Sequence, residues 1–149
     1  MAQVTESVAN LIDQFSRLPG IGRKSAERLA YHVLRVNKEE AIALADAVRD
    51  VRENVCYCAT CFNLAESDIC LICADSKRDQ TTICVVEQPR DLMAIEQSAT
   101  YHGVYHVLLG RIAPLESCGP EHLTIDRLVQ RVHDGKFTEV IMATNPTVE

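Results

Sequence analysis

No stretch of this 149-residue sequence stays apolar for the roughly 20 residues that a membrane-spanning helix needs. The opening MAQVTESVAN lacks the basic region followed by an apolar one that marks a secretory leader. Internal repeats and low-complexity tracts are also missing. Positive charge is not in excess: 15 Lys+Arg stand against 21 Asp+Glu, a formal net charge of −6. These absences argue against a membrane protein, against a secreted one and, on the charge total alone, against nucleic-acid binding. The expected setting is the cytoplasm. With 47% hydrophobic and 24% charged residues, the rest of the composition is that of a globular protein with one domain or two or three small modules.

The charge total hides an uneven distribution. From Arg17 to Arg35 there are five basic residues (Arg17, Arg23, Lys24, Arg28 and Arg35) and one acidic residue, Glu27, a local balance of +4. The other 130 residues therefore carry −10. A polyanion responds to local potential, screened within about 8–10 Å at physiological salt, more than to the whole-chain sum. The argument against nucleic acid fails for this segment alone.

Hydrophobic spacing divides the chain into unlike parts. Val4, Val8, Leu11, Ile12 and Phe15 form a helical stripe with Thr5 as N-cap candidate, and Leu18-Pro19-Gly20-Ile21-Gly22 then breaks the helix. A second helix carries Ala26, Leu29, Ala30, Val33 and Leu34 on one face. A third, near Lys38 to Glu53, uses Ile42, Ala45, Val48 and Val51. From Cys56 to Lys77 no periodicity is sustained. Three β-branched or apolar runs follow, at Thr82–Val86, Val104–Leu109 and Glu139–Ala143, separated by helical patterns over Pro89–Gln97 and Glu121–His133. Strands alternating with helices predict βαβ units and a mostly parallel sheet. Only three strands are evident before Glu149, so the sheet is expected to be incomplete, as in a shortened form of a longer protein.

Five of the seven cysteines fall within 18 residues: Cys56, Cys58, Cys61, Cys70 and Cys73. The odd total argues against a disulfide framework. The spacing Cys58-x2-Cys61-x8-Cys70-x2-Cys73 pairs two short turns whose sulfurs converge on one point, the pattern of a tetrahedral Zn²⁺ site. Four thiolates leave no open position for water, so such a zinc is structural. Unliganded thiols, redox-active C-x-x-C pairs and iron–sulfur ligation are the alternatives, and Cys56 is a competing ligand. Cys84 reads as a core residue and Cys118 as a loop thiol. The five histidines form no zinc pattern.

The other concentrated feature is Leu18-Pro19-Gly20-Ile21-Gly22-Arg23-Lys24-Ser25-Ala26. A turn with two glycines lets backbone N–H groups approach a phosphate, and the next helix offers its positive N-terminal end to the same anion. Lys24 and Arg28 are four apart and share a helix face, with Arg23 flanking the turn. Contacts of this kind read the phosphodiester backbone and not base identity. An ordinary helix connection, with Leu18 and Ile21 packed in a core, is the plain alternative.

LPGIGRKSAERLAYHVL (Leu18 to Leu34) resembles a helix–hairpin–helix motif. Together with the Cys58–Cys73 pattern, ICVVEQPRDLMAIE (Ile83 to Glu96), GPEHLTIDRL and EVIMATNPTVE, it closely resembles the RecR family of bacterial recombination mediators over essentially the whole chain. The resemblance implies a multi-module α plus α/β protein. Its parts would be a helix–hairpin–helix module (1–54), a four-cysteine zinc finger (55–77) and an incomplete Toprim domain (78–149). It implies DNA contacts at Lys24 and Arg28, with Arg23 second to them, beside the Gly20 and Gly22 that the turn itself suggests, and one zinc on Cys58, Cys61, Cys70 and Cys73. It also implies ring-like homo-oligomers (dimer or tetramer), RecO and RecF as partners in RecA loading, and a place at the bacterial nucleoid.

A catalytic Toprim places a Glu after its first strand and an Asp-x-Asp after a later one, to hold Mg²⁺. Glu87 matches the first position. At the second stands Thr144-Asn145-Pro146-Thr147-Val148-Glu149, and the sequence contains no Asp-x-Asp. The expectation is a non-enzymatic protein. A Mg²⁺-dependent nuclease or primase-like enzyme using Glu87 is the rival.

Overall fold

The computed structural model describes residues 4–114 and 118–146. Thr147 to Glu149, which carry the last of the family resemblance, lie outside them. The chain divides into two compact units, Met1–Glu53 and Asn54–Glu149.

The first unit is helical. Helix α1 (Glu6–Ser16) and helix α2 (Arg23–Arg35) pack against each other through Ile12, Ala26 and Ala30, with Val8, Leu11, Phe15 and Ile21 around them. The small Ala26 and Ala30 let the two helices approach closely. Thr5 is the N-cap residue of α1, as its sequence suggests, yet its side chain makes no capping bond. Helix α3 (Lys38–Asn54) buries none of its residues: Ile42, Leu44, Val48 and Val51 all stand exposed. Leu44, Val48 and Val51 share one face of the helix, Ile42 lies nearly opposite, and the described residues of the unit bury none of them.

In the second unit the cysteine-rich segment folds as a short antiparallel pair, β1 (Cys56–Tyr57) with β2 (Leu64–Ala65), followed by one helical turn, α4 (Leu71–Ala74). Beyond it β3 (Asp79–Val86) is the centre of a three-stranded parallel sheet. It is flanked by β4 (Gly103–Val107) and β5 (Glu139–Met142), in the order β4-β3-β5. Every β4 residue is buried. Helix α5 (Pro89–Gln97) covers one face, with Leu92 joining Cys84, Val86, Tyr105 and Val107 in the core. Glu96 of α5 pairs with Arg78 and accepts the Tyr105 hydroxyl at 2.7 Å, tying helix to sheet. The Glu121–His133 helical pattern is interrupted. A 3-10 turn occupies Pro120–His122, and helix α6 (Ile125–Asp134) starts after it.

His106 on β4 is fully buried. Its Nε2 lies 3.2 Å from the Thr124 carbonyl oxygen and 3.0 Å from Thr124 Oγ1, whose hydroxyl donates to the Val107 carbonyl at 2.7 Å. Nε2 therefore carries the proton, and Nδ1 has no partner among the described residues. Burial holds the ring neutral. The Thr124 carbonyl opposes this and the Arg131 guanidinium adds to it, leaving the pKa lowered to about 4. An unfolded histidine takes its proton near pH 6.5. The resulting stability is thus whole above pH 6.5 and is lost as pH falls toward 4. Between pH 7 and pH 5 the loss should be about 2 kcal/mol. Urea unfolding at the two pH values should show it in the wild type, with His106→Asn lacking that increment.

Candidate nucleic-acid interface and metal centre

The connection between α1 and α2 is a tight turn. The Ile21 N–H donates to the Leu18 carbonyl at 3.1 Å, with Pro19 and Gly20 in the middle. Gly20 has φ +78°, which the third position of a type II turn requires and other residues resist. Gly22, in extended conformation, is the N-cap of α2, and no side chain caps the helix. Its carbonyl accepts the Ala26 N–H at 2.9 Å, so the amides of Arg23, Lys24 and Ser25 point out of the helix end.

The glycines differ from the chain's others in one respect. A Cβ at Gly20 or Gly22 would meet no protein atom within 4 Å, whereas one at Gly103, Gly110, Gly119 or Gly135 would strike a neighbour. Backbone in the way, the Thr82 carbonyl at Gly103 and the Arg131 carbonyl at Gly135, explains the absence of a side chain at two of those four; at Gly110 and Gly119 only the ends of the Leu123 and Glu121 side chains stand close. At Gly22 no neighbouring atom does, and the free space adjoins a helix end that attracts anions. Gly22→Ala should therefore leave the fold nearly unchanged, at a cost below about 1 kcal/mol. Its affinity for DNA should fall several-fold; equal affinity would exclude close phosphate approach at this turn.

The three basic residues separate on geometry. Arg23 is engaged within the protein, 3.3 Å from Asp13 and 3.6 Å from Glu27. It braces α1 against α2. Lys24 and Arg28 are exposed and have no ion-pair partner among the described residues. One turn apart on α2, both remain available to an outside anion.

The four cysteines of the zinc pattern meet at one point. The sulfurs of Cys58, Cys61, Cys70 and Cys73 all lie within 4.8 Å of one another, and Cys58, Cys61 and Cys70 are buried. A tetrahedral ZnS₄ centre needs sulfurs about 3.8 Å apart, and Cys61 and Cys70 already stand at 3.5 Å. The surrounding amides suit thiolates: the Cys70 N–H points to Cys58 Sγ at 3.3 Å, and the Cys73 N–H to Cys70 Sγ at 3.5 Å. Burial works against ionising Cys58, but the amides of Cys70, Cys61 and Thr60 outweigh it and bring the thiol down to about 7. Cys61 is pushed well up, first by sharing a hydrogen bond with Cys73 and then by burial. Burial raises Cys70 to about 11. Four crowded thiols cannot all ionise without a cation, and a dication supplies the missing charge. The donor set fits a closed, structural Zn²⁺. Cys56 stays outside the group, exposed, with its thiol turned to the Ser67 carbonyl at 3.4 Å.

Family comparison gives the same three parts in the same order. A RecR helix–hairpin–helix model matches residues 8–52, a RecR four-cysteine zinc finger model residues 55–75, and a Toprim domain model residues 81–149. The recombination protein RecR of Rhodopirellula baltica is 63% identical over 143 residues, covering 96% of this chain and 72% of that protein. Those of Koribacter versatilis and Heliobacterium modesticaldum are 50% and 49% identical over all 149 residues, covering 75% of each relative. The chain belongs to the RecR family. The parallel sheet of the second unit is thus the Toprim portion of a RecR-family chain, and its four-cysteine cluster is the family's zinc finger.

That assignment makes the Toprim acidic position informative. Glu87 follows β3 as the sequence suggests and is buried. Asn145 clamps its carboxylate: the backbone N–H donates to Oε1 at 2.8 Å and Nδ2 donates to Oε2 at 2.9 Å. Both oxygens are occupied by donors from beyond β5, so Glu87 fastens that segment to the end of the central strand. Two further residues carried no functional signal in the sequence. Phe62 adopts φ +61°, and His106 is the buried ring that it touches.

Proposed function

We propose that this chain is a non-enzymatic DNA-binding clamp subunit of recombinational DNA repair. The carrying observation is the hairpin. Solvent-open glycines, an uncapped helix N-terminus and two exposed cations one turn apart, unpaired among the described residues, converge at the start of α2. Gly20, Gly22, Lys24 and Arg28 grip phosphates. Arg23 adds charge while its main work is within the hairpin. Cys58, Cys61, Cys70 and Cys73 hold one structural zinc. The modules divide at 54/55 and 77/78.

The relatives bear the name recombination protein, which supports a place in that process. In this reading the chain acts with RecO, and in some settings RecF, to load RecA, in the cytoplasm at the nucleoid. The exposed apolar face of α3 favours a homo-oligomer, dimer or ring, because Leu44, Val48 and Val51 share one side of the helix and have no cover among the described residues of their unit. The test adds purified protein and RecO to protein-coated single-stranded DNA and follows RecA filament growth. Acceleration that disappears with Lys24→Ala/Arg28→Ala is expected; no acceleration would reject the mediator role.

The state of Glu87 supports the non-enzymatic reading. A carboxylate with both oxygens already hydrogen-bonded, facing an amide instead of a second carboxylate, offers little charge to Mg²⁺. Labelled DNA incubated with the protein and Mg²⁺ or Mn²⁺ should stay intact. Cleavage that Glu87→Gln abolishes would establish the enzyme instead.

A further inference from the structure

The first zinc-binding turn also touches the sheet. β4 lies at the edge of the order β4-β3-β5, so half of its backbone groups face away from β3. A bare edge is a template for foreign strands, and this one is covered. The Val107 N–H donates to the carbonyl of Cys61 at 2.8 Å, and Arg131 Nη1 donates to the Tyr105 carbonyl at 2.6 Å. One of these partners is the backbone of a residue in the zinc cluster.

The next residue strengthens the link. Phe62 closes the turn by donating its N–H to the Cys58 carbonyl at 3.0 Å, and its φ of +61° is one that bulky side chains rarely adopt. A glycine would sit there without strain. What the side chain supplies is contact. Its ring packs against the core formed by Cys84, Val86, Leu92, Tyr105 and Val107, and meets the His106 ring edge-on at 5.5 Å. Ile72, from α4, packs against both this core and the cysteine cluster.

We propose that the Cys58–Phe62 turn is a clasp on the outer edge of the Toprim sheet, and that Phe62 transmits zinc loading to the order of β4. The inference rests on the zinc reading above. With metal bound, the turn is fixed, the Cys61 carbonyl holds the Val107 amide, and the Phe62 ring stays seated beside His106. Without it, the turn loses its constraint, and the edge of β4 opens while the central strand β3 keeps β5.

Amide hydrogen exchange on the full chain, with zinc content measured in parallel, decides this. Chelating the metal should speed Val107 exchange by about 100-fold or more, with smaller changes on β3 and none in α1 and α2. Phe62→Gly, which relieves the strained φ but removes the wedge, should show the same opening of β4 with one zinc still bound. Phe62→Leu, retaining most of the bulk, should lie between. Wild-type protection of Val107 in zinc-bound Phe62→Gly would overturn the proposal. So would equal acceleration throughout both units on chelation. Protein purified without any zinc would instead bring down the metal reading on which the proposal stands.

Discussion

Replacing Lys24 and Arg28 together with alanine should weaken DNA binding roughly 10- to 100-fold near physiological salt. Each cation that neutralises a phosphate releases counterions and contributes about 0.9 to the slope of log affinity against log salt. The double variant should therefore bind less steeply, by about 1.8, as well as less tightly. Both side chains are exposed and neither is paired among the described residues, so thermal stability and zinc content should stay at wild-type values. Arg23→Ala is the informative comparison. Its ion pairs with Asp13 and Glu27 are exposed, and such pairs contribute about 1 kcal/mol or less. Because those pairs occupy the guanidinium, its loss should cost less affinity than loss of Lys24 or Arg28. An Arg23 effect larger than the other two combined would move the phosphate contact toward the turn.

Breaking the metal site should have the largest effect on the second unit. Cys70→Ala removes the sulfur that lies 3.5 Å from Cys61 and accepts the Cys73 amide. Structural zinc in small modules binds with an apparent free energy on the order of 10–16 kcal/mol at neutral pH, and that free energy orders the module. The segment between β1 and α4 has little apolar core apart from the cysteines themselves and Ala65. Cys70→Ala should accordingly be purified with no zinc and give a protease-sensitive segment near 55–75. Cys56→Ala should keep one zinc per chain, since that thiol faces the Ser67 carbonyl. Zinc uptake at pH 7 should release protons, because Cys70 titrates near 11 and Cys61 is also held protonated. An indicator dye during zinc titration reads this directly. Uptake without proton release would mean that the sulfurs are not the ligands.

Both candidate sites are legible in the sequence because each is local. Gly20, Gly22, Lys24 and Arg28 lie within nine residues, so the turn and the first turns of α2 set most of their arrangement. The C-x-x-C pairs likewise carry their geometry within four residues. β3, β4 and β5 are visible as β-branched runs, and their parallel order follows from the helices between them. The helix α3 is also where the sequence places it. Burial is what the sequence does not reveal there, since that depends on what lies opposite, and among the described residues of this unit nothing does. Phe62 is invisible for a related reason. Nothing in its neighbours announces a positive φ, and its use comes from a strand more than forty residues later. The clamp between Glu87 and Asn145 is intermediate. Each position stands out against the catalytic Toprim pattern, but their pairing across 58 residues appears only in the fold.

If the hairpin binds phosphate backbone irrespective of sequence, the wild-type chain should treat unrelated DNA sequences alike. Fluorescence anisotropy with several such sequences across a salt series measures this most directly. All of them should fall on one common line, with affinity dropping steeply and equally as salt rises. Affinities that differ among sequences and ignore salt, or no binding even at low salt, would contradict a phosphate-reading hairpin.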